Sequence, residues 1–259
     1  MTNRNSSSIQ SVEHSLRIVT CLREHGPIGV SALAERVDMP KSTVYVHLQT
    51  LRNNGYAIQI DGTYDLGLRF LETGSIVRRR NNVYRAAREE VDQLATDVEE
   101  AANLGVEQDG KRVILYKAEL GEAIYDNTST GEFTYMHWTA IGKSLLANFS
   151  SDRVEEIIDQ HGLPQATDQT ITEREQLFNE LEQIRERGFA VENEEHRNGL
   201  VAIAVPIFDT DSDTVVGALS VSGPRQRLVD TADETEIKSE IINAVRNRAN
   251  VAELRYNHY

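Results

Sequence analysis

The stretch of this chain that most constrains its fold is residues 38–66, which read DMPKSTVYVHLQTLRNNGYAIQIDGTYDL. A run of helical period follows Pro40, because Val44, Leu48 and Leu51 fall at i, i+4 and i+7 and therefore share one face. We expect these three side chains to be buried together on the inner face of a helix.

A small hairpin is predicted directly after this helix. The helical pattern ends at Asn53-Asn54-Gly55, where Gly55 is suited to a left-handed C-cap. Two short extended runs at 56–60 and 63–66 flank Asp61-Gly62, a dipeptide favoured in two-residue hairpin turns. A helix followed by such a hairpin is the second half of a winged helix-turn-helix.

The residues before position 38 supply the first half of that fold. A first amphipathic helix ends at Gly26-Pro27, residues 28–30 suit a short strand, and Ser31 is placed to cap a second helix over 32–37. The apolar residues that we expect on the buried face of the first helix are Ile9, Val12, Leu16, Val19 and Leu22.

The opposite face of the helix after Pro40 suits a DNA groove, because its side chains are slender or form hydrogen bonds and include no carboxylate. Gln49 could pair bidentately with adenine, and Arg52 could contact phosphate. Val46 could contact a thymine methyl group or simply pack beside its neighbours, and the sequence leaves both open. The candidate DNA-binding residues are Lys41, Ser42, Thr43, Tyr45, Val46, Gln49 and Arg52.

The charge of the chain is divided unequally. Residues 1–80 hold 10 Lys and Arg against 7 Asp and Glu, whereas the remaining 17 basic and 34 acidic residues bring the net charge to −14. The basic surplus accompanies the helix-turn-helix, which supports a nucleic-acid partner. The acidity of the remainder is typical of a halophile, where salt screens self-repulsion, and an ordinary acidic cytoplasmic protein is the alternative.

We expect a soluble protein in a reducing, cytoplasmic compartment. Cys21 is the single cysteine, so it cannot form an internal disulfide, and its apolar neighbours in the first helix predict that it is buried. No apolar run approaches the roughly 18 residues of a membrane span, and the N-terminal residues are polar. No membrane partner is therefore expected.

The rest of the chain predicts an α+β fold. Leu68, Leu71 and Ile76 lead in helical spacing to Arg78-Arg79-Arg80, which predicts a linker helix whose arginines contact phosphate or form a solvated patch. Groups of strands and helices then follow, as in a mixed α/β sensory domain. The predicted strands are 103–107, 112–119, 123–127, 189–193, 200–208 and 214–222, and the helices are 83–102, 140–149, 152–161, 173–187 and 234–254. The predicted domains are 8–67, the linker 68–82, and 83–259.

Two parts of the chain resemble the IclR-type transcriptional regulators. PKSTVYVHLQTL at 40–51, followed by Gly55-Tyr56, resembles the recognition helix of that family. A second group of segments resembles its GAF-like effector-binding domain: MHWTAIGKSLLA at 136–147, RGFAVENEE at 187–195, and GLVAIAVPIFD and GALSVSGP between 199 and 224. The resemblance covers nearly the whole chain in the right order.

The resemblance implies a homodimer or homotetramer that binds a double-stranded DNA operator under the control of a small organic acid or sugar-derived metabolite. The chain departs from the family at Ala202, where many members have cysteine, and at Glu192, where many have aspartate. Val46 stands where arginine is common and Thr63 where a basic residue is frequent, so fewer phosphate contacts are implied. The implied effector-binding residues are Ala140, Ile141, Glu192, Leu200, Ala202, Ser220 and Ser222.

The implied effector residues also make physical sense. Ser220 and Ser222 lie two apart on a predicted strand, so both hydroxyls point to one face and could donate to a carboxylate or a sugar hydroxyl. The alternative is that they are small residues tolerated in a core. An ionised Glu192 would repel an anionic ligand, and it could instead accept hydrogen bonds from hydroxyls or orient a neighbour.

Catalytic and metal-binding motifs are excluded by their spacing. Gly142-Lys143-Ser144 lacks the glycine that a phosphate-binding loop needs five residues earlier, where His137 stands. The seven histidines have neither metal-ligand spacing nor a triad arrangement, and His47 is expected to be partly buried or to contact phosphate. We therefore expect no cofactor, no metal and no enzymatic activity. The alternative class is an enzyme or nucleotide-binding module with an accessory N-terminal domain.

Overall fold

A computed structural model of the protein describes residues 8–120, 128–230 and 237–258. The chain divides into two compact units, the first ending at Val77 and the second beginning at Arg78. The N-terminal unit has the predicted order of elements: α1 (Gln10–His25), β1 (Ile28–Gly29), α2 (Val30–Arg36), α3 (Lys41–Asn53), β2 (Ala57–Ile60), β3 (Thr63–Leu66) and the start of α4 (Arg69–Arg80). Its antiparallel sheet has the order β1-β3-β2, which confirms the winged helix-turn-helix.

The core of the N-terminal unit combines the inner faces of its helices with one strand of the wing. Val44 and Leu48 are fully buried, as their helical spacing predicts, and Tyr64 of β3 closes this core from the side of the wing. Asp61 and Gly62 have φ values of 48° and 80°. A two-residue turn between twisted strands requires this conformation at both positions, so the predicted hairpin is confirmed.

Helix α1 buries a different face from the predicted one. Ile9, Val12 and Leu16 are each more than half exposed, and Leu22 is the member of the predicted stripe that is fully buried. Ile18 and Cys21 complete the buried face. The prediction assumed that all apolar residues at helical spacing along α1 are buried, but the rest of the unit covers only the C-terminal half of the helix. An exposed apolar stripe therefore remains on its N-terminal half.

The C-terminal unit is built on a larger antiparallel sheet flanked by helices. Its strands are β4 (Ala101–Gln108), β5 (Lys111–Ala118), β6 (Phe133–Tyr135), β7 (Ala190–Asn193), β8 (Leu200–Asp209) and β9 (Thr214–Pro224). Its helices after α4 are α5 (Asn82–Val98), α6 (Ala140–Leu146), α7 (Ser151–His161), α8 (Arg174–Arg187), α9 (Arg225–Leu228) and α10 (Ser239–Tyr256). The strand order is β6-β5-β4-β9-β8-β7, so β4, β9 and β8 are central in the described part.

The two faces of this sheet carry side chains of very different size. One face packs against α5 and α10 through large branched residues, which include Val201, Ile203, Val205, Leu219 and Val221. The alternate positions face α6 and are small: Ala190, Ala202, Ala204, Ala218, Ser220 and Ser222. Because the small face leaves space between the sheet and α6, it is the side on which a buried cavity can form.

Several predicted boundaries are wrong. Helix α5 ends at Val98 rather than 102, because Glu99 adopts a left-handed conformation (φ 56°) and the chain then enters β4. Helix α6 ends at Leu146 rather than 149, and α10 begins at Ser239 rather than 234. The prediction missed β6 and α9, which span three and four residues and are too short to show a period.

Helix α2 begins at Val30 with Gly29 as its N-cap, so Ser31 lies inside the helix and does not cap it. The predicted strand at 123–127 lies outside the described residues, as do residues 234–236 of the predicted last helix. Within the three described ranges, no helix is both long and apolar enough to span a membrane.

Candidate DNA-binding surface and candidate effector site

The outer face of α3 carries the side chains that the sequence assigns to DNA contact. Tyr45 and Val46 lie at its centre and are 51% and 63% exposed, whereas Thr43 and Gln49 are half-buried. The exposure of Val46 leaves its side chain available for contact with a partner. The remaining candidates, Lys41, Ser42 and Arg52, are exposed.

Two of the candidate side chains form hydrogen bonds with residues of the wing. The Gln49 Nε2 donates a hydrogen bond of 3.0 Å to the hydroxyl of the buried Tyr64. The Arg52 Nη1 donates one of 2.7 Å to the Gln59 Oε1 on β2. These bonds orient both side chains, and the second N–H of the Gln49 Nε2 and its Oε1 stay available for a bidentate contact with adenine. The sequence does not predict these two hydrogen bonds, because the partners Tyr64 and Gln59 lie on the strands of the hairpin and not on α3.

His47 lies on the inner side of the same helix. Its Nδ1 is hydrogen-bonded at 2.8 Å to the hydroxyl of Ser15, and the rings of His47 and His14 meet edge to face with centroids 5.8 Å apart. Burial lowers the pKa of His47, and the charge of His14 lowers it further. The half-buried imidazole of His47 therefore links α1 to α3.

A small cavity lies between the sheet of the C-terminal unit and α6. Its volume is about 30 Å³, close to the share of one water molecule in the liquid. All seven effector-binding residues implied by the sequence line this cavity: Ala140, Ile141, Glu192, Leu200, Ala202, Ser220 and Ser222. The other lining residues, which the sequence reasoning missed, are Asn103, Arg112, Ile114, Thr128, Thr139 and His196.

Strand register brings the polar members of the cavity onto one face. Ser222 pairs with Ala202, which in turn pairs with Glu192, and Ser220 pairs with Asn103 on β4. The Asn103 Nδ2 donates a hydrogen bond of 3.1 Å to the Ser222 hydroxyl. The one sequence signal for Asn103 was that a single amide interrupts an otherwise apolar buried strand.

Glu192 is the ionisable group most strongly affected by the cavity. Its side chain is 3% exposed, and burial together with the nearby Glu195 raises its pKa to about 8, against the opposing charges of Lys143 and Arg112. Its carboxyl group is therefore predominantly protonated at neutral pH. The concern that Glu192 repels an anionic ligand applied to the ionised form and does not hold at this pH.

The Gly142-Lys143-Ser144 segment has a structural role. Lys143 is 1% exposed, and its Nζ lies 2.5 Å from the Glu195 Oε1 and 3.6 Å from the Glu180 Oε1. A Cβ atom at Gly142 would lie 2.2 Å from the carbonyl oxygen of Met136, so the close approach of α6 requires glycine there. The segment forms a buried ion pair and is not a phosphate loop.

Trp138 packs against one of the residues that line the cavity. The indole of Trp138 stacks on the His196 ring at 5.4 Å with an angle of 15°, and its Nε1 donates to the Thr134 hydroxyl at 3.0 Å. Because His196 lines the cavity and Trp138 is the single tryptophan of the chain, its fluorescence can report on the cavity. No cluster of metal-ligating side chains occurs among residues 8–120, 128–230 and 237–258.

A winged helix-turn-helix unit and an α/β unit with a polar cavity define the class of two-unit DNA-binding regulators. Residues 11–61 match the model of the IclR helix-turn-helix domain, and residues 76–250 match that of the bacterial transcriptional regulator IclR C-terminal domain. The chain is 32% identical over 251 residues, which are 95% of this chain and 94% of the relative, to the "Probable HTH-type transcriptional regulator ArcR" of Halobacterium salinarum. The chain belongs to the IclR family of DNA-binding transcriptional regulators.

Solved structures of the family share the fold of both units. The IclR protein of Thermotoga maritima matches with a TM-score of 0.78 and 27% identity over 96% of this chain and all of the other. An IclR homologue of Microbacterium hydrocarbonoxydans, solved in complex with 4-hydroxybenzoate, matches with a TM-score of 0.80 and 21% identity over 96% of this chain and all of the other. The second likeness supports the fold alone.

Proposed function

We propose that this protein is a sequence-specific transcriptional regulator whose operator occupancy is controlled by a small organic acid or sugar-derived metabolite bound in the C-terminal unit. The observation that carries the proposal is the polar lining of the cavity, because every residue implied as effector-binding lies there together with further buried polar groups. A cavity of about 30 Å³ is smaller than an organic acid, so we propose that the lining residues separate when the ligand binds. The structure of the Microbacterium homologue with 4-hydroxybenzoate is a precedent for a small acid bound by a protein of this fold.

The proposed DNA contacts centre on the exposed face of α3. Tyr45 and Val46 offer apolar surface at its centre, and Ile60 beside the wing turn is also exposed. An apolar contact with a thymine methyl group is not weakened by salt, whereas each phosphate contact is. We therefore propose an interface with few phosphate contacts, suited to the high salt that the net charge of −14 and the relative in Halobacterium suggest.

The proposed regulator acts as a homodimer or a homotetramer in the cytoplasm. Two exposed apolar stripes in the N-terminal unit support self-association: one runs from Ile9 to Val12 and Leu16 of α1, and the other is formed by Leu68, just before α4, and Leu71. Apolar stripes of this kind are costly to leave in water, and a second copy of the chain would cover them. Helix α4 is then the proposed linker between the two units.

The proposed route from ligand to DNA runs through α5. The Arg78 guanidinium lies 5.0 Å from the ring centre of Tyr84 on α5 and 5.8 Å from that of Tyr116 on β5. A shift of the sheet near the cavity would therefore move the end of α4, where the arginine run lies. The ligand need only favour one arrangement by a few kcal/mol to change DNA occupancy.

The test begins with selection of binding sites from random duplex DNA by the purified protein in molar KCl. We expect a recurring, two-fold symmetric site, because a dimer presents two recognition helices. The affinity for that site is then measured with and without sugar acids, keto acids and aromatic acids. Binding of a metabolite without any selected DNA sequence would contradict the proposal and favour the alternative enzyme or signalling module.

A further inference from the structure

The wing, which is formed by β2 and β3, presents two polar side chains to α3. Gln59 on β2 and Tyr64 on β3 are paired directly in the antiparallel register, so their side chains point to the same face of the hairpin. The hydrogen bonds to Gln49 and Arg52 identify this face as the one towards α3. The wing therefore contacts two of the side chains to which we assign DNA contacts.

Tyr64 is the rigid partner in its contact with Gln49. Its side chain is 1% exposed and belongs to the same core cluster as Val44 and Leu48 of α3. Close packing around the ring keeps the hydroxyl group in one place. The Gln49 side chain is only half-buried, and its long side chain can adopt several rotamers. The hydrogen bond of 3.0 Å to Tyr64 therefore selects one position for the Gln49 amide.

The selected position suits recognition of a base. One N–H of the Gln49 Nε2 is used by Tyr64, and the second N–H and the Oε1 are the donor and the acceptor that a bidentate contact with adenine needs. A side chain that is held in advance loses less conformational entropy when it binds. It also tolerates less displacement, so a wrong base is discriminated against more strongly.

We propose that Tyr64 determines sequence specificity without touching DNA, because its hydroxyl group holds the Gln49 amide in the position from which that amide recognises one base pair. This inference rests on the proposed DNA contacts of α3, since it adds a positioning residue behind one of them. Gln59 holds Arg52 in a similar way through the bond of 2.7 Å. A phosphate contact of Arg52 carries no sequence information, so the two wing residues have separable effects.

The closing experiment measures how strongly the full-length protein discriminates between bases at each position of its selected DNA site. Affinity is measured in molar KCl for that site and for duplexes in which each base pair is replaced in turn. Gln49→Ala identifies the base pair that Gln49 recognises. Tyr64→Phe keeps the buried ring and removes only the hydroxyl group. We expect it to lower discrimination at that base pair by about 10-fold and to leave the other positions and the salt dependence unchanged.

Further variants test whether Tyr64 acts through Gln49. The double variant Gln49→Ala with Tyr64→Phe should lose no more discrimination than Gln49→Ala alone, because the hydroxyl group then has no amide to hold. Tyr56→Phe is the matched control, since it removes the same group from a ring that packs edge to face on Phe70 with centroids 4.9 Å apart. Gln59→Ala should weaken binding to all sequences alike. The unfolding midpoint of each variant separates loss of discrimination from loss of folding.

The outcomes separate this inference from the proposed function. Unchanged discrimination in Tyr64→Phe, with a loss in Gln49→Ala, would overturn the inference and leave the regulator and its Gln49 contact standing. Unchanged discrimination in both variants would also overturn it, because Gln49 would then recognise no base. An equal loss at every position with a lowered unfolding midpoint in Tyr64→Phe would assign the hydroxyl group a structural role instead. Selection of no DNA sequence at all would refute the proposed function, and the inference would fall with it.

Discussion

The buried carboxyl group of Glu192 makes the stability of the C-terminal unit depend on pH. Its pKa is about 8 in the folded protein, whereas the ordinary pKa of a glutamate is 4.5. The folded state therefore holds a proton that the unfolded state has lost between these two values. The contribution of Glu192 to stability is therefore fully present below pH 4.5 and is lost as the pH rises towards 8.

The size of this effect follows from the difference in pKa. Each unit corresponds to about 1.4 kcal/mol, so the loss is about 3 kcal/mol at pH 7 and approaches about 5 kcal/mol above pH 8. Glu192→Gln keeps the size and the carbonyl acceptor of the side chain and removes the ionisation. We expect the variant to match the natural protein near pH 4.5 and to become progressively more stable than it at higher pH.

Urea unfolding followed by Trp138 fluorescence from pH 5 to pH 8 measures this difference at constant KCl. The groups that face Glu192, namely Glu195, Lys143 and Arg112, are present in both proteins, so the difference between the two curves isolates Glu192. The matched control is Glu240→Gln on the exposed side of α10. Parallel curves for the natural protein and Glu192→Gln would refute the buried, protonated carboxyl group.

Three further predictions concern the two candidate sites. Val46→Arg should add a phosphate contact and steepen the salt dependence of operator affinity by about one, and an unchanged slope in a KCl titration would contradict this. Gln49→Ala should reduce the sequence preference of DNA binding at one base pair by about 1–3 kcal/mol, whereas Arg52→Ala should weaken binding to all sequences alike. Equal losses of affinity on operator and random DNA for both variants would contradict these separate roles. Replacing Ser220 and Ser222 with alanine should abolish the ligand response and keep operator affinity, and an unchanged response would place the ligand elsewhere.

Local patterns predicted the elements whose structure depends on few distant contacts. The Asp61-Gly62 turn requires only that two neighbouring residues adopt positive φ, and the inner face of α3 follows from helical spacing alone. Ser220 and Ser222 likewise point to the same face of the sheet, because side chains alternate along a strand with a two-residue period. In each case the physical constraint acts within a few residues.

The remaining features depend on packing between distant segments. The buried face of α1 is decided by which of its turns the other helices cover, so its apolar period misled the prediction. Asn103 belongs to the candidate site because β4 pairs it with Ser220, which lies more than a hundred residues away in the chain. The raised pKa of Glu192 depends on complete burial and on the nearby Glu195, and a periodic pattern in the sequence predicts neither of them.

We propose that one ligand in the cavity controls the occupancy of DNA. The coupling between ligand binding and operator binding can be measured directly, from either side. The acid that raises the unfolding midpoint is titrated into the protein with and without its selected operator, and operator affinity is measured with and without the acid. We expect each ligand to change the affinity of the other by the same factor, of about 5- to 150-fold. An acid that binds tightly while operator affinity stays unchanged would contradict it.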